Sequence, residues 1–186
     1  MNPTDTFVLS LGGNVGDVAG AFGRAFGALA RGGAGLEAIS SVWRTPPWGK
    51  TDQPDFLNMA AAGRTELSPR ALLELVLAVE RSEGRERIER WGPRTLDIDI
   101  ILFGDRIVDE PDLHVPHPRV TERAFVLAPL AEILPEALIA GRRVDALTRA
   151  VDAGGMVRDD AATARVVGAF QALRSAGGKD RFTSSE

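Results

Sequence analysis

Residues 90 to 100 read RWGPRTLDIDI, and the two carboxylates in this run, Asp97 and Asp99, alternate with apolar Leu96, Ile98 and Ile100. Side chains alternate along a strand. Leu96, Ile98, Ile100 and Leu102 are therefore expected on one face and Asp97 and Asp99 on the other, roughly 6.5–7 Å apart. Aspartate is a poor strand former, and a buried carboxylate without a partner is costly. Arginines and hard divalent cations both suit it as partners. Magnesium takes one or two carboxylates and completes its shell with water and substrate phosphates, so the pair can hold a pair of ions against a polyphosphate. A solvated polar face of an antiparallel sheet is the plainer alternative that the spacing leaves open.

The approach to the aspartates is rich in arginine: Arg81, Arg85, Arg87, Arg90 and Arg94, interleaved with Glu83, Glu86 and Glu89. For Arg81 and Glu86 an ion-paired, solvated turn is expected. Lysine occurs only at Lys50 and Lys179, and arginine throughout suits bidentate binding of phosphate oxygens. Gly84 at one end and Gly92-Pro93 at the other would let the segment close over a ligand. Trp91, in so polar a stretch, needs an apolar partner, either core or a flat ligand. His117, held between Pro116 and Pro118 a few residues before Arg123, is a candidate donor to phosphate. His114 lacks such a frame. GKT at 49 to 51 matches the end of a phosphate-binding loop, but the leading glycine would fall at Arg44, and GGNVG at 12 to 16 is not G-x-G-x-x-G.

These residues need a scaffold, and the pattern supplies one. TFVLSL at 6 to 11 reads as a strand. Asp17 can cap a helix to about Arg31, with Ala21, Phe22, Ala25, Phe26 and Leu29 on one face. RGGAG ends it. EAISSVWR at 37 to 44 and FLNMAAAGRTE at 56 to 66 read as strands around a proline-rich loop. Ser68-Pro69 starts a second helix bearing Leu72, Leu73, Val76, Leu77 and Glu80 on one face. TLDIDIILF is the fourth strand, and Gly104-Asp105 reads as a two-residue hairpin turn into RIVD. The order β-α-β-β-α-β is the split βαβ, or ferredoxin-like, arrangement of the α+β class. Its antiparallel sheet carries helices on one face and leaves the other for a site or further elements. Residues 113 to 135 are expected to hold loop and a short helix broken near Pro129. A further helix is expected around Ala161 to Leu173, with a frayed end at GGKDRFTSSE.

The chain has 186 residues, 44% of them apolar, a net charge of −4 and no cysteine. That length suits one domain with a real core. The acidic balance argues against a general nucleic-acid or anionic-membrane binder. Absence of cysteine excludes disulfides, thiolate metal sites and cysteine nucleophiles. No export signal or membrane span is read, so a cytoplasmic protein is expected.

Four stretches together resemble the 6-hydroxymethyl-7,8-dihydropterin pyrophosphokinase family of folate biosynthesis: LSLGGNVGD (9–17), SSVWRTPPWGKTDQPDFLNMA (40–60), EGRERIERWGPRTLDIDIILFG (83–104) and VPHPRVTERAFVLAPLAEILP (115–135). The third is highly specific. The resemblance implies a ferredoxin-like fold over residues 1–147, with 148–186 an extension that has no counterpart in it. It implies ATP and hydroxymethyldihydropterin as substrates, two magnesium ions bound with ATP, and a monomer that engages neither nucleic acid nor membrane. By position, Asp97 and Asp99 would bind the metal ions, and Arg85 and Arg94 would join them in catalysis. Phe56 and Phe125 would stack on the pterin, Asn58 would read its polar edge, and Thr45, Pro46, Trp48 and Trp91 would complete that pocket. Glu80, Arg87, Ile100, His117 and Arg123 would contact ATP.

A metal-dependent nuclease or cyclase with a paired-aspartate strand is an alternative, though it would need neither Asn58 near Phe56 nor the arginine run. A non-catalytic binding module is the other.

Overall fold

The computed structural model describes residues 4–47, 52–84 and 92–177. In chain order the elements are β1 (Asp5–Gly13), α1 (Val18–Arg31), β2 (Ala34–Ile39), β3 (Trp43–Thr45), β4 (Phe56–Thr65), α2 (Pro69–Ser82), β5 (Asp97–Phe103), β6 (Val108–Glu110), β7 (Leu113–Val115), α3 (Ala124–Ile133), β8 (Leu138–Ile139), β9 (Arg142–Arg143), α4 (Val144–Ala150), β10 (Val157–Arg158) and α5 (Asp160–Gly177). The result is a mixed α/β structure built on an antiparallel sheet. Its strands run β10-β3-β4-β1-β5, and β2 also pairs with β4.

Both helices of the sequence pattern form where their caps lie. The Asp17 side chain accepts from Gly20 N–H at the start of α1, and Ser68 Oγ accepts from Ala71 N–H ahead of Pro69 in α2. Capping of this kind stabilises a helix by about 1 kcal/mol. The apolar stripes of α1 and α2 pack on one face of the sheet against Phe7, Leu9 and Leu11 of β1, Met59 and Ala61 of β4, and Leu96, Ile98 and Ile100. α5 joins the same core through Val166 and Phe170, the latter edge-on to Phe26 at 6.2 Å between ring centroids. The second face is partly covered. Val8, Ala60 and Ile101 pack there against Val126, Leu127 and Leu130 of α3 and against Val144 and Leu147 of α4. α3 covers that face at Ala60 and Ile101 and leaves the Asp97 and Asp99 side chains partly exposed.

Four local expectations are corrected. Leu102 does not share the core of Ile98 and Ile100. The β1–β5 register shifts between Val8 and Leu9, leaving Ile101 as the extra residue. This bulge turns Ile101 and Leu102 to the second face, while Phe103 returns to the first; an added residue breaks the alternation that the reading relied on. The strand expected over 37–44 is interrupted at 40–42 and forms β2 and β3, both on β4. The turn after β5 closes, with Arg106 N–H donating to Phe103 O at 3.0 Å. Yet β6 pairs with β7 and not with β5. His117 N–H already donates to Ile101 O at 3.1 Å, so the returning segment around His117 takes the edge position a hairpin partner would need. Finally, α3 runs through Pro129 to Ile133 unbroken. Among the described residues no helix is long and apolar enough to cross a membrane.

Candidate active site

One rung of the sheet organises the site. Asp97 on β5 is opposite Gly12 on β1, which is opposite Asn58 on β4, which is opposite Trp43 on β3. On the next rung Asp99 faces Ser10, and Ser10 faces Ala60. Paired residues on adjacent strands point to the same side, and Ala60 belongs to the second core. The two carboxylates, Asn58 and, two residues before it, Phe56 therefore share the second face. Thr45 stands opposite Phe56. Asn58 is buried, and its Nδ2 donates to Thr45 Oγ1 at 2.8 Å. A Cβ at position 12 would lie 2.6 Å from Asn58 Oδ1, so any side chain there would displace that amide.

Each aspartate has an arginine, and each arginine lies on an aromatic ring. Arg94 Nη1 donates to Asp97 Oδ2, and its guanidinium is 5.5 Å from the Phe56 ring centroid. Arg123 Nη1 donates to Asp99 Oδ2 at 3.4 Å, and its guanidinium is 5.6 Å from the Phe125 ring centroid. A cation over a ring at this range is attracted by its quadrupole. The Nε atoms of Arg94 and Arg123 are buried without a hydrogen-bond partner. Two such donors fit an incoming oxyanion, which a guanidinium can grip through paired N–H groups.

His117 completes the anionic end. Its Nδ1 accepts from Arg119 N–H at 3.2 Å, which leaves the ring proton of the neutral form on Nε2, 3.9 Å from Asp99 Oδ2. Burial, reinforced by the Arg123 charge, pushes its pKa down to about 4. The imidazole is thus a neutral donor at physiological pH.

The donor set suits magnesium that arrives with a polyphosphate. Asp97 and Asp99 keep side-chain exposures of 20% and 36%, and no cluster of three or more His, Asp or Glu side chains among the described residues could cage a metal ion. Magnesium uses this arrangement, with few protein carboxylates and the rest water and phosphate.

Not every expected residue faces this site. Ile100 is buried in the first core. Glu80 is also buried, and its Oε1 accepts from Ile98 N–H at 2.7 Å on the border strand β5. Pro46 lies exposed just after β3. Trp48, Arg85, Arg87 and Trp91 lie outside the described residues, as does the chain end from 178.

Sequence reasoning missed Asn14. Its Oδ1 accepts from Arg94 N–H at 2.9 Å, its own N–H donates to Arg94 O at 2.9 Å, and its Nδ2 donates to Gln53 Oε1 and Pro54 O. One amide thereby joins the first turn, the segment before Phe56 and the backbone of Arg94. Only the turn signal GGN marked it, and nothing local to a turn reveals partners at 53 and 94.

Residues 8–135 match the family of 7,8-dihydro-6-hydroxymethylpterin-pyrophosphokinase. The chain is 46% identical over 151 residues to a 2-amino-4-hydroxy-6-hydroxymethyldihydropteridine pyrophosphokinase of Methylorubrum extorquens, covering 81% of this chain and 96% of that one. It is 47% identical over 126 residues to the Bacillus subtilis protein of the same name, covering 67% and 75%. Among solved structures it is similar to a wild-type Plasmodium falciparum HPPK-DHPS, with a TM-score of 0.63 at 14% identity. That match covers 81% of this chain and 45% of that longer one, and speaks for the fold alone. Matched across most of its length by family and by relatives, the chain belongs to the 7,8-dihydro-6-hydroxymethylpterin-pyrophosphokinase family.

Proposed function

We propose that the second face of the sheet is where this chain carries out its family's reaction, with the paired aspartates at the phosphates and Asn58 at the pterin. The chain transfers pyrophosphate from ATP to the hydroxymethyl group of 6-hydroxymethyl-7,8-dihydropterin, a step of folate biosynthesis. The hydroxymethyl oxygen forms a bond to the β-phosphorus, the bond from that phosphorus to the α,β-bridging oxygen breaks, and AMP departs. The hydroxyl proton is released to solvent or shared by Asp97. Nuclease, cyclase and non-catalytic readings, open on the paired aspartates alone, give way to family membership.

The observation that carries this reading is the shared rung, which sets the Asp97 carboxylate and the Asn58 amide on one face about two interstrand spacings apart, roughly 9–10 Å. Asp97 and Asp99 would hold the two magnesium ions, whose charge would neutralise the phosphates and favour loss of the hydroxyl proton. Arg94 and Arg123 leave their carboxylates to grip phosphate oxygens, and His117 donates through Nε2. Phosphoryl-type transfer depends on such positioning and charge neutralisation more than on covalent help. Phe56 and Phe125 sandwich the pterin ring, gaining burial and stacking. Asn58, held by Thr45, reads its edge, and Pro46 stands on the exposed rim beside Thr45. Glu80 and Ile100, whose side chains are buried away from this face, would serve ATP only by fixing the backbone of β5. Arg85, Arg87, Trp48 and Trp91 keep the roles their family positions imply.

In the same reading, the strand order β5-β1-β4 followed by β2 and β3 is the ferredoxin-like arrangement over residues 1–147, and the protein acts as a cytoplasmic monomer. Mixing the protein with MgATP and hydroxymethyldihydropterin should release AMP in step with pterin diphosphate. Folded protein that forms no AMP above background would remove the proposal.

A further inference from the structure

Residues beyond 135 lie outside the family match, yet they return to the site. β10 pairs with β3, Val157 opposite Arg44 and Arg158 opposite Trp43. β3 is three residues long and ends in Thr45, the residue that receives the Asn58 amide. Without β10 it would be a short border strand next to a proline-rich loop, the kind of segment that frays.

The attachment goes well beyond one pairing. Asp159 N–H donates to Val42 O at 2.9 Å, and Val42 N–H donates to Thr163 Oγ1 at 2.9 Å, so both polar groups of Val42 are held by the start of α5. The Asp159 side chain bonds Arg44 and accepts from Ala162 N–H at 2.9 Å, capping α5. Arg158 bonds Glu132 of α3 at 3.0 Å and lies over the Trp43 ring at 5.3 Å. The same Glu132 accepts from Trp43 Nε1 at 2.7 Å and from Ser41 N–H at 2.9 Å. Gly155 sits against Pro46, where a Cβ would be 3.0 Å from Pro46 Cγ. α5 is itself fixed to α1 through Phe170 on Phe26 and Arg165 on Asp17 at 2.8 Å.

We propose that the C-terminal segment, residues 151–177, is a brace for the pterin half of the site, with Asp159 and Arg158 its positioning residues. The inference rests on the reading of Thr45, Phe56 and Asn58 as the pterin end. It has a directional consequence. The brace grips β3, whereas the aspartates stand on β5 at the opposite border, with β4 and β1 between. Loosening the brace therefore blurs the Thr45–Asn58 pair and leaves the phosphate end as it was.

The test uses the full chain with Asp159→Ala, Asp159→Asn and Arg158→Ala. Pterin affinity is measured in the presence of a non-hydrolysable MgATP analogue, and analogue affinity is measured alone. Asp159→Ala should weaken pterin binding about ten-fold, equivalent to about 1.4 kcal/mol, with analogue affinity unchanged. Asp159→Asn keeps a capping oxygen and should recover part of the loss. Arg158 is half-exposed, so Arg158→Ala should stay folded and give a smaller loss of the same selectivity. Amide exchange should quicken around residues 42–46 and not at 97–101. Equal losses for both ligands, or folded variants with unchanged pterin affinity, would overturn the brace. Asn58→Ala run alongside separates the two ideas: if it too leaves pterin affinity intact, the site reading fails; if it weakens pterin while the brace variants do not, only the brace fails.

Discussion

The carboxylate of Asp97 and the amide of Asn58 stand on one rung of the sheet with only the bare backbone of Gly12 between them. The gap works because no side chain rises from it. Gly12→Ala would drive a methyl to 2.6 Å from Asn58 Oδ1 and turn the amide away from Thr45. A strand accepts alanine, so the fold should persist. Pterin affinity should fall about ten-fold or more, measurable by titration with the pterin beside an unchanged thermal melt.

Asp97→Ala and Asp99→Ala should each reduce AMP formation by at least about a thousand-fold, the scale on which removed charge stabilisation is felt in a transition state. Both side chains are partly exposed, so the variants should keep a native circular dichroism spectrum. A variant that instead unfolds would assign the carboxylates to structure.

Arg94→Ala should separate rate from binding. Its guanidinium bonds Asp97 and covers Phe56, a posture it would leave if phosphate and pterin bind as proposed. Single-turnover rates should drop about a hundred-fold, with pterin affinity changed by less than about three-fold. An unaltered rate would remove Arg94 from the phosphate contacts.

His117 gives a pH signature in the ligand-free protein. Its folded pKa of about 4 lies below the ordinary 6.5 because burial and the Arg123 charge disfavour the cation. The unfolded chain therefore binds a proton that the folded chain refuses. Stability is full above about pH 6.5 and declines as pH falls towards 4. His117→Gln should flatten this decline by an amount on the order of 1–2 kcal/mol between pH 7.5 and 5, read from urea midpoints. An identical pH slope in both proteins would contradict a buried neutral imidazole.

What could be read from sequence was what short-range periodicity encodes. Asp97 and Asp99 share a face because alternation holds for four residues, and it fails at Leu102 because the extra residue at Ile101 depends on β1, almost a hundred positions earlier. Asp17 and Ser68 announce their helices through bonds three residues away. Asn14, by contrast, takes its meaning from residues 53, 54 and 94, and Asp159 from Val42 and Arg44. β10 has only two residues, too few for its one valine to mark a strand, and it forms against the border of β3. Glu80 falls on the apolar stripe of its helix as a leucine would, and only the tertiary fold reveals the amide it meets.

That amide belongs to Ile98, on the border strand β5. Unpaired N–H groups along such a border invite strands from other molecules. A buried carboxylate engages one of them, and the segment around His117 engages the carbonyl of Ile101, so two polar groups of β5 are already spoken for within the molecule. Glu80→Ala should accordingly cost colloidal as well as catalytic performance, seen as concentration-dependent light scattering during storage at temperatures where the parent chain stays clear.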